Sequence, residues 1–253
     1  MRKLTLTALP GIPEIERGAA LGSLLVGAVA RAGEKILAGD ILVIAQKIVS
    51  KAEGRMVRLG DITPSLEARD LAQAAEKDPR LVELILRESH AVLRVKPGVI
   101  IVEHRLGFVM ANAGVDRSNV AAAEEEVALL LPEDPDASAR RLRDSVRAVS
   151  GLEVGIVIND SFGRAWRNGV TGIAIGVAGI PALVDLRGTA DRGGRTLQVT
   201  QVAAADELAA AASLVMGQAD EGLPAVLARG FPYPLRAGAA QELVRPRAED
   251  LFR

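Results

Sequence analysis

The chain has 253 residues, of which 49% are apolar, so it can fill one large core or two closely packed domains. A net charge of −1 excludes a global attraction to nucleic acid or to an anionic membrane. The absence of cysteine excludes disulfides and thiolate chemistry, and the two histidines, His90 and His104, are too few for a histidine-rich zinc site or a conventional Ser-His-Asp triad.

The first predicted elements follow an N-terminal segment without the apolar run of a signal peptide, so we expect a cytoplasmic protein with no membrane partner. Apolar residues at helical spacing predict a helix over residues 19–35. The apolar run at residues 41–45 predicts a buried strand. Residues 46–51 are interpreted as a polar loop that places Lys47 and Lys51 beyond the strand end, where α/β proteins commonly bind ligands.

The middle of the chain predicts two short helices, the first capped at residues 63–65 and the second starting after a break at residues 78–79. Residues 99–102 and 108–111 predict two paired strands, the second of which opens into a polar loop at residues 112–119. An arginine-rich helix is predicted from Asp136 or Ser138 to about Gly151, which is a typical residue to follow a helix.

The last third predicts a strand at residues 154–158 that ends in a polar loop with Asp160 and Ser161. The glycine-rich residues 163–179 favour further strands, residues 201–216 favour an alanine-rich helix, and residues 225–228 favour a final strand. The fold class is therefore mixed α/β, as one unit or as two intertwined subdomains. We expect a single domain over residues 1–253, with residues 231–253 as a C-terminal tail.

Three predicted polar loops carry the candidate chemistry, with Lys47 and Lys51 in one, Asp116 and Asn119 in the next, and Asp160 with Ser161 in the last. Carboxylate, amide and hydroxyl oxygens form a hard ligand set that suits Mg²⁺ or Mn²⁺ and bridges these metals to phosphate. The alternative is that these are ordinary turns stabilised by side-chain caps. Spacing alone leaves both interpretations open.

The cations nearby also have two interpretations. Lys47, Lys51, Arg164 and Arg167 are suited to binding phosphate or carboxylate, but they equally suit solvated positions or pairing with nearby acids. The only tryptophan, at position 166, is interpreted as a packing residue rather than a stacking platform, and His104 as a surface or structural residue. The chain has no Gly-x-x-x-x-Gly-Lys-Ser/Thr motif, so any nucleotide must bind in a non-P-loop fold.

Four segments in order closely resemble the coenzyme F420-0:L-glutamate ligase family, also called F420:γ-glutamyl ligase, and the resemblance extends from about residue 9 to residue 230. Several multi-residue motifs in the right order make this signal far more specific than any single motif. The segments are Gly11-Ile12-Pro13-Glu14, residues 46–55 (QKIVSKAEGR), residues 112–119 (NAGVDRSN) and residues 160–169 (DSFGRAWRNG).

The resemblance implies a GTP-dependent enzyme that attaches L-glutamate to the phospholactyl deazaflavin precursor F420-0 and then adds further γ-linked glutamates. It also implies an F420 ligase-type fold, a homodimer, a divalent metal (Mg²⁺ or Mn²⁺) and K⁺ as a possible further ion. Asp116, Asp160 and Lys51 are the implied catalytic residues. Among the implied metal-binding residues, Asp116 and Asp160 look like ligands of one divalent metal, and Ser161 and Gln218 are near a second. The implied GTP-contacting residues are Ile12, Pro13, Glu14, Ile15, Gln46, Lys47, Lys51, Asn119, Met216, Gly217, Gln218, Ala219, Asp220, Glu221, Gly222 and Leu223.

The chemistry that fits these residues is amide formation through an acyl phosphate, which needs positioning and charge stabilisation but no Cys or His nucleophile. Some bacterial relatives carry an additional C-terminal reductase-like domain, so this chain is expected to ligate alone or to add a restricted number of glutamates. Two alternatives remain: a metal- and nucleotide-dependent ligase with another small carboxylate acceptor, and a nucleotide-binding protein without catalysis. Two intact carboxylates, Asp116 and Asp160, argue against the second.

Overall fold

The computed structural model describes residues 3–117 and 126–250, and the predicted site residue Asn119 lies outside them. The helices are α1 (Leu21–Arg31), α2 (Gln46–Ala52), α3 (Leu66–Ala75), α4 (Pro79–Arg87), α5 (Pro135–Ser150) and α6 (Ala204–Met216). The strands are β1 (Thr5–Ala8), β2 (Ile41–Ala45), β3 (Met56–Arg58), β4 (Ser89–Lys96), β5 (Val99–His104), β6 (Val109–Ala111), β7 (Val127–Leu129), β8 (Gly155–Arg164), β9 (Arg167–Ala178), β10 (Val184–Asp185), β11 (Gln201–Val202) and β12 (Ala225–Arg229).

A five-stranded sheet in the order β1-β12-β2-β8-β9 forms the centre of the molecule. Strands β2 and β8 are parallel, and the other neighbours are antiparallel. Both faces of β2 are covered: Leu42 and Ile44 belong to a core shared with α1 and α5, and Ile41 and Val43 belong to a core shared with α6. This two-sided burial explains why the β2 segment is an uninterrupted apolar run.

A second layer is formed by the part of the chain between α2 and α5. Helices α3 and α4 pack on the antiparallel sheet β4-β5-β6, with Ala72, Ile85 and Val102 in a separate core. Strands β3 and β7 pair beside it. The prediction of a mixed α/β fold is confirmed. No helix in the described part of the chain is both long and apolar enough to cross a membrane.

Local capping signals located several helix ends correctly. The Ser65 side chain accepts the Ala68 N–H at the start of α3, and Asp78 accepts the Arg80 N–H at the start of α4. Gly151 ends α5 with φ 72°, in the left-handed region that favours glycine.

The predicted start of α5 at Asp136 or Ser138 is wrong, because the capping residue is Asp134, which accepts the Ala137 N–H. The Asp136 carboxylate instead accepts the N–H groups of Val177 and Ala240. It therefore joins the start of α5 to β9 and to the C-terminal segment.

Two of the three predicted loops are regular elements. Residues 46–51 belong to helix α2, which starts directly after β2 without a loop. Asp160 and Ser161 lie inside β8, which continues to Arg164 because β9 pairs with it as far as Arg167. Both corrections have the same cause: pairing or packing with distant residues extends regular structure into polar sequence.

The interpretation of Trp166 as a packing residue is wrong. The residue lies at the turn between β8 and β9, and 86% of it is exposed to solvent. His104 is a structural residue, as predicted, but it is fully buried and not at the surface.

Candidate functional site

A cleft of about 700 Å³ lies where β2 ends and α2 begins. Six separated parts of the chain meet in it: the segment before α1, the β2–α2 junction, the segment between β6 and β7, the middle of β8, the start of β9 and the segment that follows α6. The lining residues are Ile12, Pro13, Glu14, Ile15, Ala45, Gln46, Lys47, Ile48, Lys51, Asp116, Asn159, Asp160, Ser161, Val170, Met216, Gly217, Gln218, Ala219, Asp220, Glu221, Gly222, Leu223 and Pro224.

Sheet register explains why this end of the sheet is polar. Ala45, the last residue of β2, is paired with Asn159 of β8. β8 runs on past this pair, so Asp160 and Ser161 lie beyond the end of β2. The parallel arrangement therefore places the β8 carboxylate beside the first turn of α2, at the edge where ligands of α/β sheets usually bind.

Lys47 and Asp116 form an ion pair, with Lys47 Nζ 2.7 Å from Asp116 Oδ2. Two backbone hydrogen bonds fix Asp116. Its N–H donates to the Leu129 carbonyl oxygen at 3.0 Å, and the Leu129 N–H donates to the Asp116 carbonyl oxygen at 2.8 Å. About 30% of each side chain is accessible, at 29% for the lysine and 31% for the aspartate. The pair is thus held from both sides yet remains open to a ligand.

Lys51, one turn further along α2, pairs with the carboxylate of Glu14. Only 8% of the lysine side chain is exposed, against 67% of the glutamate side chain. The buried Gln46 side chain accepts a hydrogen bond from the Ser50 hydroxyl at 2.9 Å, which fixes its carboxamide at the start of α2. Two lysines and an amide are therefore presented to the cleft by one short helix.

Asp160 is half-buried beside Asp116 and Lys47. Burial and the negative charge of Asp116 raise its pKa to about 6, although the Ser161 N–H and the Lys47 charge act in the opposite direction. The Ser161 N–H donates to Asp160 Oδ1 at 2.8 Å. The ionised carboxylate is thus disfavoured at this position unless positive charge is added.

Ser161 connects β8 with the segment after α6. Its hydroxyl donates to Gln218 Oε1 at 2.8 Å, and Gln218 Nε2 donates to the Ser213 hydroxyl at 2.7 Å. These bonds hold the Gln218 carbonyl oxygen beside the Ser161 hydroxyl. Two neutral oxygens therefore lie next to the acidic pair of the cleft.

The segment after α6 folds back on the carboxylate of Glu221. Glu221 Oε2 accepts the Ala219 N–H at 2.8 Å, and hydrogen bonds from backbone N–H groups, that of Ala219 first, lower the pKa of Glu221. Gly217 has φ 76°, and a Cβ there would lie 2.0 Å from the Glu221 carboxyl carbon. The backbone N–H groups of this segment thus already hold one anionic group.

The donor set fits a hard divalent cation. Asp116 and Asp160 supply carboxylate oxygens, and Ser161 and Gln218 supply neutral oxygens. Burial and the Asp116 charge raise the pKa of Asp160, and a bound cation would oppose both effects. Among the described residues, no group of three or more His, Asp or Glu side chains forms a metal-binding cluster.

All the implied catalytic, metal-binding and GTP-contacting residues that the structure describes line this one cleft, while Asn119 lies outside the described residues. Sequence reasoning missed five lining residues, which are Ala45, Ile48, Asn159, Val170 and Pro224. Asn159 was adjacent to the predicted Asp160, but Val170 had no signal, because only the β8–β9 register places it there. The structure leaves Arg164 and Arg167 outside the cleft lining, at the tip of the same hairpin.

A second polar cluster lies away from the cleft. The Glu88 carboxylate accepts hydrogen bonds from Arg55 at 3.0 Å and from Arg105 at 3.0 Å. The buried His104 has Nε2 at 3.7 Å from Glu88, and its Nδ1 accepts the Leu106 N–H. The cluster therefore connects three parts of the second layer: the segment after α2, the end of α4 and the loop after β5.

Comparison with known proteins gives one consistent result. The family model described as F420-0:gamma-glutamyl ligase matches residues 11–230. The coenzyme F420:L-glutamate ligase of Methanothermobacter thermautotrophicus is 48% identical over 252 residues, which cover 99% of each chain. The protein of the same name from Methanopyrus kandleri is 48% identical over 243 residues, covering 94% of this chain and 95% of its own. The one from Archaeoglobus fulgidus is 40% identical over 243 residues, covering 96% and 94%.

Proposed function

The chain belongs to the F420-0:γ-glutamyl ligase family, and we propose that it is a GTP-dependent ligase that attaches L-glutamate to F420-0 and then adds further γ-linked glutamates. The observation that carries the proposal is the convergence of two lysines, two carboxylates and a backbone N–H segment on one cleft. Such a set can hold a polyphosphate and a cation at the same time.

GTP is assigned to the part of the cleft between α2 and the segment 216–223. Lys47 and Lys51 place two ammonium groups there, and each is already paired with a carboxylate, Asp116 or Glu14. Backbone N–H groups near Ala219 bind the Glu221 carboxylate and have the geometry to receive a phosphate oxygen in its place. The triphosphate would therefore be bound by charge from α2 and by hydrogen bonds from the opposite wall.

Asp116, Asp160, Ser161 and Gln218 are the residues that would hold a divalent cation, Mg²⁺ or Mn²⁺. Such a cation neutralises phosphate charge and so lowers the repulsion between GTP and an anionic acceptor. Its positive charge would also favour the ionised form of Asp160, whose pKa is raised by burial.

In the proposed reaction, a carboxylate oxygen of F420-0 attacks the γ-phosphorus of GTP, and the bond to the β-phosphate oxygen breaks to release GDP. The amine of L-glutamate then attacks the acyl carbon of the acyl phosphate, phosphate leaves, and the nitrogen loses a proton to solvent. The lysines of α2 stabilise the charge on the transferred phosphoryl group, and the cleft holds the two reactants in contact.

The test is to incubate the purified protein with F420-0, L-glutamate, Mn²⁺ and either GTP or ATP, and to follow the products by mass spectrometry. We expect additions of one or more glutamate residues with GTP and far fewer with ATP. Hydrolysis of GTP without any addition would indicate that the enzyme uses another carboxylate acceptor. No turnover of either nucleotide would favour a binding protein and contradict the ligase assignment.

A variant set separates the site from general folding effects. Lys47→Met should lose most of the ligase activity, because Lys47 is the ammonium closest to Asp116. Lys96→Met is the matched control, since Lys96 is an exposed lysine at the end of β4 and does not line the cleft. Equal losses in the two variants would argue against the placement of GTP in this cleft.

A further inference from the structure

Beyond the cleft, β8 and β9 continue together as a two-stranded hairpin. Ser161 is paired with Gly172, Gly163 with Val170, and Arg164 with Arg167 at the tip. Ser161 and Val170 both line the cleft, so the hairpin forms one of its walls. Its tip is therefore a direct extension of the site, three residues beyond Ser161 and about 10 Å further along the strand.

The tip carries the only tryptophan of the chain in an unusual setting. Trp166 has φ 57°, a left-handed conformation that is rare for a bulky residue and that glycine or asparagine adopts more easily. The residue is nevertheless 86% exposed to solvent. A large aromatic surface is thus presented to solvent next to the cleft, where a smaller residue would suit the turn better.

Two arginines flank this tryptophan. Arg164 and Arg167 are directly opposite one another across the hairpin, and both are exposed. Like charges opposite each other on a strand pair are unfavourable, and an anion between them would relieve the repulsion. The tip therefore combines an aromatic face with a forked anion-binding group, which matches a ligand that is both aromatic and anionic.

The acceptor assigned above has this chemistry. F420-0 is a phospholactyl deazaflavin, with a carboxylate at one end, a planar aromatic ring at the other and a phosphodiester between them. If its carboxylate lies near Asp160, the remainder of the molecule must extend out of the cleft, and the hairpin is the wall that continues in that direction.

We propose that the hairpin tip is the acceptor-binding platform, in which the Trp166 indole stacks on the deazaflavin ring and Arg164 with Arg167 binds the phosphodiester. This inference rests on the proposed function. It makes Trp166 a residue that determines acceptor specificity, whereas Lys47 and Lys51 serve the nucleotide. GTP affinity should accordingly be independent of the tip.

The single tryptophan allows a direct test, because the intrinsic tryptophan fluorescence of the protein comes from Trp166 alone. F420-0 is titrated into the wild-type protein with Mn²⁺ and a non-hydrolysable GTP analogue, and free N-acetyltryptophanamide serves as the control for light absorbed by the ligand. We expect saturable quenching with F420-0 and little change with the GTP analogue alone. Absence of saturable quenching, or quenching by the nucleotide alone, would overturn the assignment.

Kinetics give the second readout. Trp166→Ala should raise the KM for F420-0 about tenfold, the usual loss for one stacked ring, with the KM for GTP unchanged. Trp166→Phe should recover part of this loss, and Arg164→Gln should raise the same KM. Leu66→Ala is the control, since Leu66 is an 80% exposed apolar residue at the start of α3.

The ligase function and the acceptor-binding platform are tested by different results. If the wild-type protein adds no glutamate to F420-0, the proposed function is wrong, whatever the fluorescence shows. If the wild type ligates and Trp166→Ala has an unchanged KM for F420-0, only the platform is wrong. Sedimentation of both proteins completes the test, because a change of oligomeric state in Trp166→Ala would identify the tip as a contact between copies of the chain and would also overturn the inference.

Discussion

Lys47 on α2 and Asp116 in the segment that precedes β7 form an ion pair across the cleft, with 2.7 Å between Nζ and Oδ2. The same lysine also lowers the pKa of Asp160, which Asp116 raises. One ammonium group therefore moderates the repulsion between two carboxylates that lie close together. This charge balance is the basis of the proposed site, since a cation or a phosphate would each alter it.

We predict that Lys47→Met raises the pKa of Asp160 further and weakens GTP binding by about tenfold or more, because it removes a charge-assisted contact to phosphate. Lys47→Arg should retain part of the affinity because it preserves the charge. Calorimetric titration of each variant with GTP and Mn²⁺ measures the effect. Wild-type affinity in Lys47→Met would show that the lysine does not contact the nucleotide.

Asp160→Asn is predicted to abolish ligation and yet to stabilise the metal-free protein. The folded-state pKa of about 6 is above the ordinary value of 3.8, so the native state holds a proton that the unfolded state releases. The free energy of unfolding therefore falls as the pH rises from about 4 to about 6, by up to about 3 kcal/mol. Asparagine cannot ionise and avoids this loss.

Urea unfolding without metal at pH 7 and at pH 4 tests this prediction. The variant should be more stable than the wild type at pH 7, and the difference should shrink at pH 4, where the wild-type carboxyl is protonated. A variant that is less stable at pH 7 would contradict the assignment of a half-buried, unfavourable charge to Asp160.

Glu88 is predicted to have the opposite pH dependence. Burial alone would raise its pKa, but the neighbouring His104, Arg55 and Arg105 outweigh burial and lower it to about 2. Its stabilising contribution is therefore complete above the ordinary value of 4.5 and is lost as the pH falls towards 2. Glu88→Gln should cost about 3 kcal/mol at pH 7, because two arginines lose their common partner.

The control for this variant is Asp61→Asn, which breaks the Arg58–Asp61 pair, whose side chains are both at least 60% exposed. We expect a cost below about 1 kcal/mol for such a surface pair. Thermal unfolding of both variants at pH 7 gives the comparison. Equal and small effects would show that the Glu88 carboxylate does not stabilise the second layer through Arg55 and Arg105.

Gly172 is predicted to be irreplaceable because of a close approach by α6. A Cβ at this position would lie 2.4 Å from the Ala209 carbonyl oxygen, which is a backbone atom. Gly172→Ala should destabilise the protein by about 2 kcal/mol and lower ligase activity, since it moves the helix that leads to Gln218. Gly163→Ala on β8 is the control, because a Cβ added at this position has no atom within 4 Å. It should change the free energy of unfolding by less than about 0.5 kcal/mol. Similar unfolding midpoints in the two variants would contradict this packing.

Features encoded locally were predictable from the sequence. Ser65, Asp78 and Gly151 mark helix ends through bonds or backbone angles within a few residues, and the structure confirms them. The apolar run of β2 was recognisable because both of its faces are buried. Likewise, multi-residue motifs in the right order were sufficient to indicate the family, which the family match confirms.

Features that depend on distant pairing were not predictable. β8 continues through Asp160 and Ser161 because β9 pairs with it, and these polar residues do not by themselves predict a strand. Helix α2 has no capping side chain at its start and is held by buried residues such as Ile48 and Val49, so it was interpreted as a loop. The exposure of Trp166 contradicts the usual behaviour of tryptophan and depends on its place at a hairpin tip.

The most direct test of the central claim uses F420-0 with ¹⁸O in both carboxylate oxygens, incubated with the protein, GTP, Mn²⁺ and L-glutamate. If the carboxylate attacks the γ-phosphate, each glutamate added in the first round transfers one ¹⁸O atom to the released phosphate, and mass spectrometry of that phosphate should show the label. Glutamylated product accompanied by unlabelled phosphate would contradict activation of the acceptor as an acyl phosphate.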